Sequence, residues 1–413
     1  MNIFISGISG TGMGPLALMA RQAGIKVFGS DLNEGAVSSE LFRAEIPFKI
    51  GEQDGEFLKK CAEEEGVDWF VYTSALPENH PELLLAKELG LRMSKRDELI
   101  AFLVDKLGLK MVAVAGTHGK TTTTAMIVWA CQRLGIPVSY LVGTTLPFAE
   151  AGKYDAKSEF LIYEADEYDR NFLYFEPWLS VITTISYDHP DVYKTEGDYR
   201  RAFEKFMGQS EKVITNGYGS DEFTLSGEVR RKDAGLAFFA VQEIVEELGG
   251  EFRPEEVISA LNAFPGVGRR FERLSMGLYT DYAHHPEEVA ETVKMALEEA
   301  SRGGFKGVVA IYEPHQNTRQ HQIFSGYKRA FTGVSGLFWL PTYLVREDES
   351  LPVITPEEFI ESLEGVGGGG FAEAAEMDEN LAEKLKKLRE QGHLILLMTA
   401  GPADKWFREQ FAD

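Results

Sequence analysis

The segment Val114-Ala115-Gly116-Thr117-His118-Gly119-Lys120-Thr121-Thr122 joins an apolar run, Met111–Ala115, to a helical pattern. Backbone N–H groups in such a turn, with a helix N-terminus behind them, form a cradle for an anion. The lysine of such a loop reaches terminal phosphates and the next hydroxyl reaches Mg²⁺, parts that fall here to Lys120 and Thr121. The standard spacing has a glycine five positions before Gly119, where this chain has Val114, so a structural turn stays open as the alternative. A second glycine cluster, Gly7, Gly10, Gly12 and Gly14, follows the apolar run 2–6. Asp31 comes roughly 20 residues later, where a carboxylate often meets a ribose. The glycine spacing departs from the dinucleotide fingerprint, so a tight turn is the alternative, and a dehydrogenase is the outside one.

Other candidates sit where apolar runs end. Glu164-Ala165-Asp166-Glu167-Tyr168-Asp169 follows Phe160–Tyr163, and four carboxylates in six residues repel unless a cation or water screens them. A cation site and a solvated acidic loop are both open readings. Asp188-His189 closes the run Leu179–Ile185. Gly266-Val267-Gly268-Arg269-Arg270 offers two guanidinium groups for phosphate, and His284-His285 suits an anion better than a metal, having no nearby third ligand. Pro314-His315-Gln316-Asn317-Thr318-Arg319 repeats the theme after Tyr312.

These residues need elements to hold them. Strand, glycine turn, helix and strand alternate from residue 2 onward, which predicts an α/β protein with parallel sheets throughout. Further strands are expected at Trp69–Tyr72, Leu278–Thr280, Gly307–Tyr312, Gly336–Leu340 and Leu394–Met398, and a helix over Asp97–Leu107. Ligands in open α/β sheets lie beyond the carboxyl ends of the strands, so Lys120, Thr121, the acidic segment and Asp188-His189 should converge on one crevice. Three units are expected, with boundaries at 1–108, 109–273 and 274–413. The Gly367–Gly370 run reads as a surface loop.

Composition bounds the partners. The chain has 413 residues, 65 acidic against 42 basic, for a formal charge of −23. That balance argues against nucleic acid and anionic membrane, which need clustered Lys and Arg, but not against small anions met locally. Two cysteines, Cys61 and Cys131, cannot form a disulfide framework and read as reduced thiols. No apolar run of about 18 residues predicts a membrane span. The start, Met-Asn-Ile-Phe-Ile-Ser-Gly, lacks the basic segment of a signal peptide, so a cytoplasmic protein is expected.

Taken in order, these segments resemble the Mur ligase family nearly end to end. Gly116–Thr122 is similar to the family's variant phosphate loop, which accounts for Val114. Gly10-Thr11-Gly12-Met13, Gly29-Ser30-Asp31 and Asp281-Tyr282-Ala283-His284-His285-Pro286 resemble the branch that joins L-alanine to UDP-N-acetylmuramate. Pro314–Arg319 and Tyr343-Leu344-Val345-Arg346-Glu347 do so too. Glu164–Asp169 matches better the branch that attaches the recycled tripeptide L-Ala-γ-D-Glu-meso-diaminopimelate, which is the alternative. A non-catalytic nucleotide-binding relative is the third reading.

The resemblance implies three domains: a Rossmann-like amino-terminal domain for the UDP-sugar, a phosphate-loop ATPase-type central domain, and a Rossmann-like carboxy-terminal domain that closes and helps bind the amino acid. ATP would phosphorylate the muramoyl carboxylate and the amine would displace phosphate. Gly10, Thr11, Gly12, Met13, Asp31 and Ser74 would bind the UDP-sugar. Gly116, Thr117, His118, Gly119, Lys120, Thr121, Thr122, Arg270 and Asp281 would bind ATP, the last at its ribose. Thr121 and Glu164 would hold one Mg²⁺, and His189 would help hold a second; Lys120, Glu164 and His189 are the implied catalytic set. His284, His285, His315, Arg319, Tyr343 and Arg346 would serve the amino acid. The family's Gly-x-His-Asn-x-x-Asn adenine contact has only Gly227–Asp233 as a counterpart, without the histidine and asparagines, so Arg230 is the remaining stacking candidate. Glu204 and Lys205 lie near the position of a carbamylated lysine in several relatives. Thr399–Asp404 matches the family's Gly-Ala-Gly-Asp turn loosely.

Overall fold

The computed structural model describes residues 1–189, 192–345, 347–348, 350–366 and 370–411. Arg346 and most of the Gly367–Gly370 run lie outside the described residues. The chain is α/β, with three sheets in sequence order.

The first sheet holds β1 (Asn2–Ser6), β2 (Lys26–Asp31), β3 (Phe48–Ile50), β4 (Trp69–Tyr72) and β5 (Arg92–Lys95), in the order β3-β2-β1-β4-β5. Every pairing is parallel, which demands crossover helices and buries the sheet on both faces. The strand residues are accordingly apolar runs rather than alternations, with Ile3, Phe4 and Ile5 fully buried. The order reverses between β1 and β4, and that switch point opens the crevice described below.

The second sheet holds β6 (Lys110–Ala115), β7 (Ser139–Leu141), β8 (Gly152–Lys153), β9 (Phe160–Glu164), β10 (Leu179–Ile182) and β11 (Lys212–Ile214), in the order β11-β10-β6-β9-β7-β8. The third holds β12 (Glu272–Ser275), β13 (Leu278–Asp281), β14 (Val308–Glu313), β15 (Gly336–Trp339), β16 (Phe371–Ala374) and β17 (Leu394–Thr399), in the order β12-β13-β17-β14-β15-β16.

Two expectations need correction. The sheets are not parallel throughout, because β8 runs antiparallel to β7 and β12 antiparallel to β13. Only Met276 and Gly277 separate β12 from β13, with Gly277 at φ +72°, and so short a link permits only a hairpin. The strand expected over Leu179–Ile185 ends at Ile182. Thr184 turns its carbonyl to the N–H of Thr117 at 2.8 Å, so the phosphate loop takes the bonds a ladder would have used.

The chain forms two compact units, Met1–Phe223 with Lys232–Pro265, and Thr224–Arg231 with Gly266–Asp413. The first unit contains the first two sheets. They meet where the Gly14–Gln22 helix packs beside β8: Ala151 N–H donates to Glu40 at 2.9 Å and Tyr154 N–H to Gln22 at 2.7 Å. A side chain at Gly152 would collide with the backbone of Pro15, so that glycine is required by the approach. Among the described residues no helix is long and apolar enough to cross a membrane.

Candidate active site

The loop between β6 and the Lys120–Arg133 helix sits at the carboxyl end of a central strand. Gly116 and Gly119 have φ of +142° and +83°, values an L side chain rarely adopts. At Gly119 a Cβ would also stand 2.5 Å from Oδ1 of Asp233, so Asp233 lies against this loop. The loop is braced before any ligand arrives. Thr117 Oγ1 accepts from Ser186 N–H at 2.9 Å and lies 2.8 Å from the Tyr199 hydroxyl, while His118 N–H donates to Thr184 Oγ1 at 3.0 Å.

Lys120 turns back into this loop. Its ammonium donates to Gly116 O at 2.5 Å and to both oxygens of Glu167, at 3.0 and 2.8 Å. Burial works against the ammonium's charge, but the Glu167 carboxylate outweighs it and holds Lys120 above its ordinary pKa. Thr121 Oγ1 donates to Glu164 Oε1 at 2.7 Å, and Gly143 N–H donates to Glu164 Oε2 at 3.0 Å. His189 Nε2 stands 3.8 Å from Glu167 Oε1 and 3.7 Å from Asp188. The crevice expected from the strand ends therefore exists, with Glu164 on Thr121 and Glu167 between Lys120 and His189. Glu204 and Lys205 are exposed; the side chain that reaches the loop from their helix is Tyr199. Asp169, Arg170 and His189 all have φ between +53° and +59°, a costly conformation for such residues that concentrates at working sites. Lys95 pairs with Asp169 at 2.6 Å and Arg170 with Asp198 at 2.7 Å, holding the strained turn from both sides.

The amino-terminal residues line a cavity of about 370 Å³. Gly10, Thr11, Gly12, Met13, Asp31 and Ser74 all contribute, with Lys95, Arg96 and Asp166. Asp31 does structural work there, accepting from Ser9 N–H at 2.9 Å and so fixing the glycine turn to β2. A second cavity of about 190 Å³ shares Thr11, Gly12, Arg96 and Asp166 with the first and adds Lys120, Tyr163 and Glu164. The two spaces lead from the glycine turn to the phosphate loop.

In the second unit, Asp281 is buried with one oxygen accepting from Phe271 N–H at 2.6 Å and the other from Ala283 N–H at 2.7 Å. That is the geometry of a brace holding the Arg269–Phe271 turn, where Arg269 and Phe271 have φ of +56° and +48°. The Arg269 and Arg270 guanidinium groups lie over the Tyr282 ring, at 4.8 and 5.1 Å. His285 occupies the N-cap of the Pro286–Gly303 helix. The rings of His284 and His315 lie 5.9 Å apart, and those of His315 and Tyr343 5.8 Å apart. Burial, then the charge of Arg319 and the neighbouring imidazole, push His315 down to about 4. Burial also lowers His284. Both rings are thus neutral near pH 7, and among the described residues Arg319 and Arg270 bring positive charge to His284. Glu347 caps the short Asn317–Ile323 helix that carries Arg319, accepting from Asn317 and Thr318 N–H at 2.9 Å each.

The sequence reading missed Glu167 as the partner of Lys120, and it missed Tyr199, Glu347 and Arg96. Arg96 follows directly on β5, so the strand-end rule that found the others would have flagged it.

Residues 2–106 match the Mur ligase family, catalytic domain, and residues 114–236 match the Mur ligase middle domain. The chain belongs to the Mur ligase family. It is 30% identical to the UDP-N-acetylmuramate–L-alanine ligase of Campylobacter jejuni subsp. doylei, over 89% of this chain and 92% of that protein. Its fold is similar to that of the UDP-N-acetylmuramate-alanine ligase of Thermotoga maritima, with a TM-score of 0.76 at 23% identity over 100% and 98% of the two chains. The murein peptide ligase of Psychrobacter arcticus matches at a TM-score of 0.61 and 21% identity, over 100% and 98%.

Proposed function

We propose that this protein joins L-alanine to the carboxylate of UDP-N-acetylmuramate, using ATP and passing through an acyl phosphate. The observation that carries the reading is likeness to ligases of that name over most of the chain, together with a cavity at the amino-terminal glycine turn that leads to Lys120 and Glu164. In the reaction a carboxylate oxygen attacks the γ-phosphorus, and ADP leaves with the electron pair of the broken P–O bond. The alanine nitrogen then attacks the acyl carbon, phosphate leaves with the C–O pair, and the nitrogen loses a proton.

Both steps bring anions together, so the chain must supply positive charge. Lys120 would move from Glu167 to the terminal phosphate, with the Gly116–Thr122 amides around it. Among the described residues no three His, Cys, Asp or Glu converge as a metal site. The Thr121 hydroxyl and Glu164 carboxylate nevertheless fit Mg²⁺, which takes one or two protein oxygens and completes its shell with phosphate and water. Bound there, magnesium would offset the charge between carboxylate and phosphate. His189, beside Glu167, is the side chain for a second ion. The alanine carboxylate would pair with Arg319 between the neutral His284 and His315. Arg269 and Arg270 would serve nucleotide phosphate. ATP and a sugar nucleotide place the reaction in the cytoplasm.

The wording Glu164–Asp169 favours the tripeptide-attaching activity as the second reading. Phosphate release with ATP, Mg²⁺ and UDP-N-acetylmuramate, comparing L-alanine with L-Ala-γ-D-Glu-meso-diaminopimelate as acceptor, separates the two. Turnover with L-alanine is expected; turnover with the tripeptide alone would reverse the assignment.

A further inference from the structure

Arg96 opens the Arg96–Leu107 helix immediately after β5 and lines both cavities. Its guanidinium is close to carboxylates without being committed to them: Nε is 3.6 Å from Asp97 Oδ1 and Nη2 is 3.9 Å from Asp166 Oδ2. Charge-assisted hydrogen bonds are about 1 Å shorter, so these donors remain available to a ligand. The guanidinium lies against the glycine turn itself, since a Cβ at Gly12 would collide with Nη1. A side chain at Gly12 would displace the tip of Arg96.

Tyr163 ends the buried part of β9, one residue before Glu164, and is 3% exposed. Its hydroxyl has no hydrogen-bond partner, yet the residue lines the smaller cavity with Arg96, Lys120 and Glu164. A buried hydroxyl left unsatisfied is costly, and a ligand oxygen would recover that cost. Arg96, with donors beyond hydrogen-bond distance of its carboxylates, and Tyr163, with a buried hydroxyl that makes no hydrogen bond, thus line the same small space beside the phosphate loop.

We propose that Arg96 and Tyr163 form the subsite for the carboxylate of the sugar nucleotide, holding it beside Lys120 and keeping hold of the acyl group after phosphorylation. The inference rests on the ligase reading above. One carboxylate oxygen attacks phosphorus while the other stays on Arg96 and the Tyr163 hydroxyl. When the amine adds to the acyl carbon, that second oxygen takes the electron pair of the C=O bond. The same two donors then meet the oxyanion until phosphate departs with the C–O pair and the carbonyl reforms. Asp166 also lines both cavities, 3.9 Å from the guanidinium.

The test compares binding of UDP-N-acetylmuramate with UDP-N-acetylglucosamine, which lacks the lactyl carboxylate, by calorimetry on the wild type, Arg96→Ala and Tyr163→Phe. Losing a hydrogen bond to a charged group should weaken the muramate nucleotide about tenfold or more in Arg96→Ala. Tyr163→Phe should weaken it severalfold, with no change for UDP-N-acetylglucosamine in either variant. Tyr163→Phe removes only an atom without a partner, so it folds and keeps the test decisive. Equal weakening of both nucleotides would assign Arg96 to the diphosphate and overturn the proposal, as would unchanged binding of both. If the wild type itself binds no muramate nucleotide, the ligase reading falls and the subsite with it. If the wild type discriminates and both variants still do, the subsite alone is wrong.

Discussion

The Lys120 ammonium is held by both oxygens of Glu167, inside the loop proposed to take it to a phosphate. The Glu167 side chain is 1% exposed, so the pair is a buried one. Its carboxylate keeps the ammonium charged and folded back into the loop, and on the proposed reading nucleotide would offer it a better partner. Taking one member away leaves the other uncompensated, the costly way to break a buried pair.

Glu167→Gln should therefore lower stability by about 1–3 kcal/mol without nucleotide, less than full removal because the amide still accepts a hydrogen bond. A non-hydrolysable ATP analogue should recover most of that deficit, since its phosphate replaces the lost counter-charge. Denaturation with and without the analogue reads this directly. A deficit that the analogue leaves intact would mean that Lys120 does not move.

Lys120→Ala should cut turnover by about 10²–10³-fold, the usual loss for one donor to developing charge. The KM for L-alanine should move little. Steady-state phosphate release checks both. Turnover equal to wild type would remove the phosphate-loop assignment and favour a nucleotide-binding relative without catalysis.

The site was legible wherever chemistry follows an apolar run. Gly116–Thr122 and Glu164–Asp169 stand at strand ends and His189 in the loop after β10, and parallel strands must deliver their carboxyl ends to one side of the sheet. Partnerships across the fold were not legible. Nothing local distinguishes Glu167 from Glu164, yet one meets Lys120 and the other Thr121, because β9 ends at Glu164 and the chain then turns. Asp281 shows the converse. The family resemblance assigns it to the ATP ribose, while its burial and the two backbone N–H groups on its carboxylate, which hold the Arg269–Phe271 turn, had no local signal. The antiparallel edges β8 and β12 escaped because short strands carry little pattern, and Gly277 was the one local signal of a hairpin.

Tyr163→Phe should leave stability unchanged or raise it by up to about 1 kcal/mol, because the deleted oxygen has no partner to lose. Chemical denaturation of the ligand-free protein measures it. A loss of 2 kcal/mol or so would mean the hydroxyl is bonded within the protein.

His315 gives the second unit a pH response. Its folded pKa, about 4, lies below the ordinary value of 6.5, so folding favours the neutral ring. The unfolded chain then binds more protons between those values, and stability falls as pH drops from about 6.5 toward 4. Because the ring is partly exposed, screening reduces the effect to about 1 kcal/mol. His315→Asn should flatten that part of the stability profile. A variant whose profile superimposes on wild type would show that His315 is not held neutral.

The central claim is a ligase with three obligatory substrates and L-alanine as the acceptor. Its most direct measurement is ADP and phosphate release with ATP, Mg²⁺ and UDP-N-acetylmuramate, with and without L-alanine, with the nucleotide product identified by mass. The account predicts equal ADP and phosphate, sustained only when all components are present, and a product heavier by one alanyl residue. Sustained release without L-alanine, or with the tripeptide in its place and not with L-alanine, would contradict it.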